Sequence, residues 1–152
     1  MKKIILYQPQ IPQNAGNIVR TCSVSGTELC FVKPTGFATT DRHLKRAGLD
    51  YWEGVNVSFC ENFEEYLNNS SRPFYFLSSK GCKKYTEINF EIDCDLIFGS
   101  ETSGLPDWIH ERYPDRLLRI PMLPESRCLN LATSVGIVLY EALRQEGFNG
   151  IF

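Results

Sequence analysis

The sequence predicts an α/β fold in which a parallel sheet is flanked by helices. Short apolar runs rich in β-branched and aromatic residues recur along the chain, and segments with the apolar spacing of helices lie between them. Strands that alternate with helices are joined by crossovers, which favours parallel pairing with both faces of the sheet covered. A chain of 152 residues is long enough for one domain with its own core, and we expect residues 1–152 to form that single domain.

The first half of the chain has three predicted strands, at residues 3–7, 29–32 and 55–59. A loop at residues 8–14 contains two prolines, and a helix is predicted for residues 15–25. Gly26 marks the end of that helix, because glycine adopts the left-handed conformation without steric cost. A short basic helix is predicted for residues 41–48, with Asp41 as its N-cap.

The second half of the chain has three more predicted strands, at residues 74–77, 96–98 and 117–120. Asn62 is the predicted N-cap of a helix at residues 63–67, because its side chain can accept from the free N–H groups of the first turn. The order of strands and helices therefore continues the α/β pattern to the end of the chain.

The segment from residue 119 to residue 144 is the most informative part of the chain. Pro121 and Pro124 prevent regular structure in a polar loop, and Asn130 is the predicted N-cap of the helix that follows. One face of that helix carries apolar residues at helical spacing, namely Leu131, Val135, Val138 and Ala142. A second apolar face carries Ile137, Leu139 and Leu143. We therefore expect this helix to be covered by its own sheet on one side and by a second copy of the chain on the other.

The composition is that of an ordinary globular protein, with 43% hydrophobic and 22% charged residues. No apolar run approaches the length of a membrane span, and the N-terminal apolar run is too short for a signal peptide. We therefore expect a cytoplasmic protein with no membrane partner. The net charge of −2 gives no overall attraction to nucleic acid, so any RNA-binding role requires local basic patches.

Six cysteines are scattered along the chain without a Cys-x-x-Cys pair. We interpret them as small buried hydrophobic residues in a reducing compartment, rather than as zinc ligands or members of disulfides. They are Cys22, Cys30, Cys60, Cys82, Cys94 and Cys128.

The loops at the carboxyl ends of the strands are where a sheet of this class places its active site. After the first strand, Asn14, Asn17 and Arg20 surround a predicted helix N-terminus, which suits an anion such as a phosphate. The alternative is that Asn14 caps the helix and Arg20 is a solvated surface residue.

Two further loops, at residues 77–82 and 98–106, combine glycines with small hydroxyl residues. Glycine at a strand exit lets the backbone approach a ligand, but neither loop matches the dinucleotide or triphosphate signature, and both also fit ordinary turns. Glu101 is either a solvated charge or a residue that faces a cationic ligand.

Three motifs occur together, and their combination is more specific than any one of them. In chain order they read Pro12-Gln-Asn14-x-Gly16-Asn17-x-x-Arg20, Phe98-Gly99-x-Glu101-x-x-Gly104-Leu105-Pro106, and Arg119-Ile-Pro-Met122 with Ser126-Arg127-x-Leu-Asn130-Leu131. From Tyr7 to Gly150 the chain resembles the SPOUT superfamily of S-adenosylmethionine-dependent RNA methyltransferases. Within it, the chain is similar to the minimal enzymes that methylate the ribose 2′-hydroxyl of the tRNA wobble nucleotide, a cytidine or uridine in the anticodon loop.

The resemblance implies an α/β sheet whose C-terminal segment passes through a loop to form a deep trefoil knot (the SPOUT fold), with no appended RNA-binding domain. It also implies a homodimer that packs the C-terminal helices together, S-adenosyl-L-methionine as the cofactor, S-adenosyl-L-homocysteine as the product, and no metal. The positions that match the family's cofactor contacts are Leu77, Gly99, Glu101, Gly104, Ile120, Met122, Cys128 and Leu131. Cys128 lies where the family usually has serine, so a weakly bonding thiol replaces a hydroxyl.

By the same resemblance, Arg20 matches the motif arginine that lies beside the target ribose. Because a guanidinium keeps its proton in proteins, we interpret Arg20 as a group that orients the substrate and stabilises developing charge, rather than as a base. Asn14 and Ser126 are the other candidate catalytic residues: Asn14 would position the ribose or Arg20, and Ser126 would donate a hydrogen bond near the reacting hydroxyl. Glu101 is a candidate for balancing the charge of the cofactor.

Candidate contacts to the tRNA anticodon stem-loop are basic residues, because clustered cations bind phosphates without reading sequence. They are Arg42, Lys45, Arg46, Lys80 and Arg127, with Lys83 and Lys84 also flanking the expected pocket. The alternative is an ordinary mixed surface. Tyr51 and Trp52 either stack on an unpaired base or belong to the core.

Two other functions stay open on the sequence alone. One is a related enzyme that methylates another tRNA site or ribosomal RNA, and the other is a non-catalytic knotted homodimer that binds RNA. The doubly apolar last helix also leads us to expect an active site shared across the dimer, in which the RNA-binding patch of one subunit serves the cofactor pocket of the other.

Overall fold

Parallel strands and the helices that cover them make up the part of the chain that the structure describes. The structure is a computed structural model, and it describes residues 1–38, 52 and 54–151. The strands are β1 (Lys3–Tyr7), β2 (Glu28–Val32), β3 (Val57–Cys60), β4 (Phe74–Leu77), β5 (Lys83–Lys84), β6 (Asp95–Phe98) and β7 (Leu117–Arg119). The helices are α1 (Pro12–Ser25), α2 (Phe63–Asn69), α3 (Asp107–Arg112) and α4 (Leu131–Gln145), with 3₁₀ turns at Tyr85–Glu87 and Pro114–Arg116. The basic helix predicted at residues 41–48 lies outside the described residues.

The sheet has the strand order β3-β2-β1-β6-β4-β7-β5, and each neighbouring pair is parallel. At its centre, Ile5 of β1 lies opposite Cys30 of β2 and Ile97 of β6. Because successive side chains point to opposite faces, β1 buries Ile4 and Leu6 on one face and Ile5 on the other. The predicted parallel sheet with both faces covered is confirmed.

Within the described residues, two helices cover each face of the sheet. Helices α1 and α4 pack on the face of Ile4 and Leu6, where Ile18 and Val138 are fully buried. Helices α2 and α3 cover the opposite face with residues that include Phe63 and Ile109. Since all strands run in one direction, the loops that leave β1, β4, β6 and β7 gather at one edge of the sheet.

Helix α1 begins at Pro12, three residues earlier than predicted. Proline is well suited to the first helical position, because its fixed φ matches the helix and its missing N–H has no helical partner there. Ile11 occupies the N-cap position without a side-chain hydrogen bond, so the interpretation of Asn14 as the cap is wrong. The predicted helix end is confirmed, since Gly26 adopts a left-handed φ of 63°.

Helix α4 has its predicted cap but a smaller open apolar face than expected. The Asn130 side chain accepts from the backbone N–H groups of Ala132 at 2.9 Å and Thr133 at 3.3 Å. Leu139 and Leu143, which we expected a second copy to cover, are already buried in the core of this chain, because α4 packs on α1 as well as on the sheet. Neither α4 nor any other helix of the described residues has the length and apolar character required to cross a membrane.

Four of the six cysteines are buried as predicted, at positions 22, 30, 60 and 94. Burial raises the pKa of the Cys22 thiol to about 12 and that of Cys94 to about 11, so both stay protonated at neutral pH. Cys82 and Cys128 are exposed, and the prediction of burial is wrong for them because each lies in a surface loop that follows a strand.

Asp95 is a buried acidic residue at the start of β6. One carboxylate oxygen accepts from the Arg72 guanidinium at 2.7 Å, and the other accepts from the Tyr66 hydroxyl at 2.6 Å. Burial and the hydrogen bond to Asp95 raise the pKa of Tyr66. Arg72 also donates to the carbonyl oxygen of Met1 at 2.6 Å, so this group fixes the amino end of β6 to α2 and to the N-terminus.

We predict that Asp95→Ala lowers the free energy of unfolding by about 2 kcal/mol, because it leaves a half-buried guanidinium and a hydroxyl without their acceptor. Urea denaturation followed by circular dichroism measures the change. Asp93→Ala is the matched control: its carboxylate is 66% exposed and pairs with the N-terminal amino group, so we expect a change below about 0.5 kcal/mol. Equal destabilisation by both variants would contradict the structural role of Asp95.

Candidate functional site

A cavity of about 480 Å³ opens at the edge of the sheet where the carboxyl ends of the strands meet. It lies between the loops that follow β4, β6 and β7, with the start of α4 closing one side. Its position is the one that the sequence predicted for an active site. The lining residues are Ile11, Asn14, Leu77, Ser78, Ser79, Lys80, Phe98, Gly99, Ser100, Glu101, Thr102, Ser103, Gly104, Leu105, His110, Ile120, Met122, Cys128, Leu129, Asn130, Leu131 and Ser134.

The structure brings together all eight residues that the sequence placed at the cofactor. Each of them lines the cavity, as do the candidate catalytic residue Asn14 and the candidate RNA contact Lys80. The eight are Leu77, Gly99, Glu101, Gly104, Ile120, Met122, Cys128 and Leu131. Residues separated by up to 123 positions along the chain, from Ile11 to Ser134, therefore meet at one site.

Three other candidates do not line this cavity. Arg20 is exposed on α1, and Arg127 is exposed in the loop before α4. The Ser126 hydroxyl donates to the carbonyl oxygen of Leu123 at 2.7 Å and closes a turn in which Glu125 has a left-handed φ of 65°. The remaining RNA candidates, Arg42, Lys45 and Arg46, lie outside the described residues, as does Tyr51. Trp52 is half-buried and stacks on Phe31, as the core interpretation requires.

A hydrogen-bonded chain of Glu101, Asn14 and Asn130 connects the three motifs. The Glu101 carboxylate accepts from the backbone N–H groups of Gln10 at 2.8 Å and Ile11 at 3.1 Å, and from the Asn14 side-chain amide at 3.1 Å. The Asn14 side-chain oxygen in turn accepts from the Asn130 amide at 2.9 Å. Asn130 therefore caps α4 and binds α1 with one side chain.

The anion beside the N-terminus of α1 is therefore the carboxylate of Glu101. A negative charge is favourable there because it faces the positive end of the helix dipole. The sequence suggested that this terminus would attract a phosphate and left Glu101 as a solvated charge or a ligand contact. With three N–H donors in the protein, Glu101 is not a solvated charge, although it still lines the cavity.

Gly99 is required by the packing of its own loop. Ser100 and Gly104 exchange backbone hydrogen bonds of 3.1 and 3.0 Å, which fold the loop back onto Gly99. A Cβ at position 99 would lie 2.3 Å from the carbonyl carbon of Gly104 and 2.5 Å from the nitrogen of Leu105. Both contacts are with backbone, so a side chain at Gly99 would displace the wall of the cavity.

His110 and Ser78 are cavity residues that the sequence did not single out. His110 Nδ1 lies 3.2 Å from the carbonyl oxygen of Pro106, which can only accept, so Nδ1 donates to it. The other ring nitrogen, Nε2, lies 3.0 Å from the Ser78 hydroxyl oxygen. The Ser78 oxygen also accepts from the N–H of Lys80 at 3.2 Å. The only sequence signal was a histidine shortly after the second motif, on a helix too short to show periodicity.

The lining of the cavity combines apolar and hydrogen-bonding groups. Leu77, Phe98, Ile120, Met122 and Leu131 supply apolar surface, while five hydroxyl residues between Ser78 and Ser103 supply donors and acceptors. The volume and this mixture suit a small molecule that has both an aromatic or apolar part and a polar part.

A comparison with models of protein families shows the family to which the chain belongs. A family model described as the SpoU rRNA Methylase family matches residues 1–140. The chain belongs to this family. Its three motif loops are the ones that converge on the cavity.

Methyltransferases with similar sequences or structures match the chain over nearly its whole length. A tRNA (cytidine(34)-2′-O)-methyltransferase from Methylovorus glucosotrophus is 45% identical over 152 residues, which cover 99% of each chain. A solved structure described as "Structural insights into the 2-OH methylation of C/U34 on tRNA" has a TM-score of 0.89 at 41% identity and covers 98% of both chains. The AdoMet-bound rRNA methyltransferase from Sinorhizobium meliloti has a TM-score of 0.79 at 26% identity, over 94% of this chain and 56% of that one.

We predict that Gly99→Ala abolishes most binding of S-adenosyl-L-methionine and lowers the free energy of unfolding by about 2 kcal/mol, because the added methyl group overlaps backbone atoms of the same loop. Isothermal titration calorimetry measures the binding, and urea denaturation measures the stability. Gly136→Ala is the matched control, since a Cβ there meets no atom within 4 Å. Normal binding by Gly99→Ala would mean that the loop does not shape the cofactor site.

Proposed function

We propose that this chain transfers a methyl group from S-adenosyl-L-methionine to the ribose 2′-hydroxyl of the wobble nucleotide, position 34, of a tRNA. The observation that carries the proposal is the convergence of all three motif loops on one cavity, in a chain 45% identical over 99% of its length to a tRNA (cytidine(34)-2′-O)-methyltransferase. The solved relative concerned with 2-OH methylation of C/U34 on tRNA supports the same substrate.

The residues of the cavity fit S-adenosyl-L-methionine. Apolar side chains such as Leu77 and Ile120 would hold the adenine, and the hydroxyl groups and backbone of the loops after β4 and β6 would bind the ribose and the polar end. The Cys128 thiol also lines the cavity, so a thiol takes the position where the family usually has a hydroxyl. When bound, the cofactor supplies a methyl group that is already activated by the sulfonium.

Arg20 is the residue we expect to act on the RNA. In the transfer, the C–O bond forms as the C–S bond breaks, and the 2′-hydroxyl proton passes to water or to a phosphate oxygen. A guanidinium does not accept that proton, but it holds the ribose or a neighbouring phosphate and stabilises the negative charge that develops on the 2′-oxygen. Positioning of this kind can contribute several kcal/mol to lowering the barrier, or about 7–11 kcal/mol in well-aligned systems.

A homodimer accounts for the location of Arg20. Gln13, Asn17, Arg20 and Val24 recur at helical spacing and are exposed on one face of α1, whereas Asn14 is buried and lines the cavity. Arg20 therefore lies on a different face of α1 from the cavity of its own chain. The neighbouring helix α4 leaves Ile137 half-buried and Tyr140 42% exposed. A second copy that covers these faces would bring Arg20 of one subunit to the cavity of the other.

We also propose that the C-terminal segment is knotted. Strand β7 lies between β4 and β5, which are consecutive in the sequence, so the connection at residues 78–82 crosses the end of β7. At this crossing, a Cβ on Gly81 would lie 2.6 Å from the carbonyl carbon of Leu118. We propose that the chain leaves β7 beneath this connection on its way to α4, which would thread it through the loop. A crystal structure in which the chain after Ile120 passes outside the connection would contradict the knot.

We predict that the purified protein, given S-adenosyl-L-methionine and undermodified total tRNA, produces a 2′-O-methyl group at position 34, and that Arg20→Ala lowers the rate by at least about 100-fold with cofactor binding unchanged. Nuclease digestion and mass spectrometry locate the methyl group, and calorimetry measures the cofactor. Arg112→Ala is the control, because it removes an exposed arginine that pairs with Glu64 on α2. Cofactor and RNA binding without any methyl transfer would instead favour a non-catalytic RNA-binding protein.

We predict that Val24→Asp converts the dimer into a monomer and removes most methyl transfer, because it buries a charge in the proposed interface. Sedimentation equilibrium gives the mass, and Ile92→Asp, a change at another exposed apolar residue (66% exposed), should leave the dimer intact. A monomeric wild-type protein would contradict the proposal.

A subunit-mixing experiment tests the shared site itself. Arg20→Ala subunits would be mixed with Ile120→Trp subunits, in which the large side chain fills the cavity. If Arg20 serves the partner's cavity, each mixed dimer contains one complete site and activity returns. If Arg20 serves its own chain, no complete site forms and the mixture stays inactive.

A further inference from the structure

The cationic side chains of the described residues divide into a paired and an unpaired set. Ion pairs hold Lys2, Lys3, Lys33, Arg72, Lys84, Arg112 and Arg144, and all but Lys84 lie outside β5 and β7. Within the described part of the chain, five exposed cations have no acidic partner within 4.0 Å, namely Lys80, Lys83, Arg116, Arg119 and Arg127. All five belong to the stretch between residues 80 and 127.

Part of this unpaired charge lies at the edge of the sheet that β5 and β7 form. Lys83 lies opposite Leu118 in the ladder, and Lys84 lies opposite Arg119. Paired residues point to the same face of a sheet, so Lys84 and Arg119 are neighbours on one face and Lys83 is on the other. Lys84 has one partner, Glu87 at 3.9 Å, and both side chains are more than half exposed, so the pair is weak.

The charged edge is continuous with the cavity. Lys80 lines the cavity and belongs to the connection that leads from β4 into β5. We define Lys80, Lys83, Lys84 and Arg119 as the basic edge. It begins at the mouth of the cavity and extends along the outermost strand of the sheet.

We propose that the basic edge binds the sugar-phosphate backbone of the RNA stem that adjoins the nucleotide held at the cavity. The inference rests on the proposed function and adds to it the surface that receives the stem. Clustered cations bind phosphates and orient a nucleic acid without reading its sequence. The charge is local, because the whole chain has a net charge of −2.

A protein partner fits this surface less well than RNA does. Protein interfaces are anchored by buried aromatic or aliphatic residues and are depleted of lysine at their centres. None of the large apolar residues that are exposed in the described chain belongs to β5 or β7, although Leu123, which is 81% exposed, lies in the loop after β7. Lysines on an edge strand also prevent pairing with other sheets, which would explain Lys83 and Lys84 without RNA but not the unpaired Arg119 of β7.

The test compares two double variants that remove the same charge. Lys83→Gln/Arg119→Gln alters the basic edge, and Lys33→Gln/Arg112→Gln removes two exposed cations that are already paired with Glu61 and Glu64. The affinity of each protein for total tRNA is measured by filter binding over a series of KCl concentrations. S-adenosyl-L-methionine binding and the single-turnover rate at saturating tRNA are measured in parallel.

For the edge variant, we expect weaker tRNA binding and a slope of log K against log salt that is shallower by about 1.5, as the loss of two phosphate contacts requires. Its cofactor binding and its saturated rate stay at the wild-type level, and the control variant keeps the wild-type slope. An unchanged slope and affinity in the edge variant, or the same loss of affinity in the control variant, would overturn the proposal that the basic edge binds RNA. If the wild-type protein binds tRNA but does not methylate it, the proposed function is wrong, and the comparison of slopes still tests whether the basic edge binds RNA. If the wild-type protein binds no tRNA, both proposals are wrong.

Discussion

The carboxylate of Glu101 is the group on which the candidate site depends. It accepts from two backbone N–H groups ahead of α1 and from the Asn14 amide. The Asn14 side chain in turn accepts a hydrogen bond from Asn130, the residue that caps α4. A partly buried carboxylate is stable only when its hydrogen-bonding capacity is used, and here the helix dipole adds to that stabilisation. Three loops with no direct strand pairing between them are thereby held at fixed distances, and the cavity is the space that they enclose. Removing the carboxylate would leave several donors unsatisfied at once, so the effect would spread from the loop after β6 to both α1 and α4.

The hydrogen bonds of this network also show which motif residues have a structural role. Asn14 donates to Glu101 and accepts from Asn130, so it fixes α1 to the loop after β6 and to the start of α4. Ser126 similarly uses its hydroxyl to close a turn. The same α1 helix that contributes Asn14 to the cavity carries Arg20 on another, exposed face. The cavity and Arg20 thus lie on different faces of one chain, and the homodimer that we propose would bring Arg20 of one subunit to the cavity of the other.

The sequence was sufficient to predict features whose signal is local or periodic. The positions of six strands, the Asn130 cap and the end of α1 at Gly26 depend on a few neighbouring residues, whereas the two-residue strand β5 was missed. That eight positions share one cavity followed from matching the motifs. Helix α3 was missed because its six residues are too few to show an apolar period, and His110 was missed with it. The burial of Leu139 and Leu143 was misjudged for a different reason: periodicity shows that a face is apolar but not which neighbour covers it. The Glu101 network joins residues up to 116 positions apart, and no local pattern encodes such a contact.

The distribution of ion pairs explains how an acidic chain can still present a cationic surface. With 16 basic and 18 acidic residues, the total charge repels a polyanion slightly at long range. At short range the arrangement of the individual charges matters more than their sum, because screening at physiological salt limits the range of each charge to about 8 Å. Acidic residues pair with Lys3 on β1, Lys33 after β2, Arg72 before β4 and Arg112 on α3. By contrast, β5 and β7 bring Lys83, Lys84 and Arg119 within neighbouring-strand distance. Since β5 is at the outer edge of the sheet and its connection from β4 lines the cavity, the topology that builds the cofactor site also fixes the cationic strip next to it. The cavity and the cationic strip therefore depend on one structural feature, the connection at residues 78–82 that crosses the end of β7.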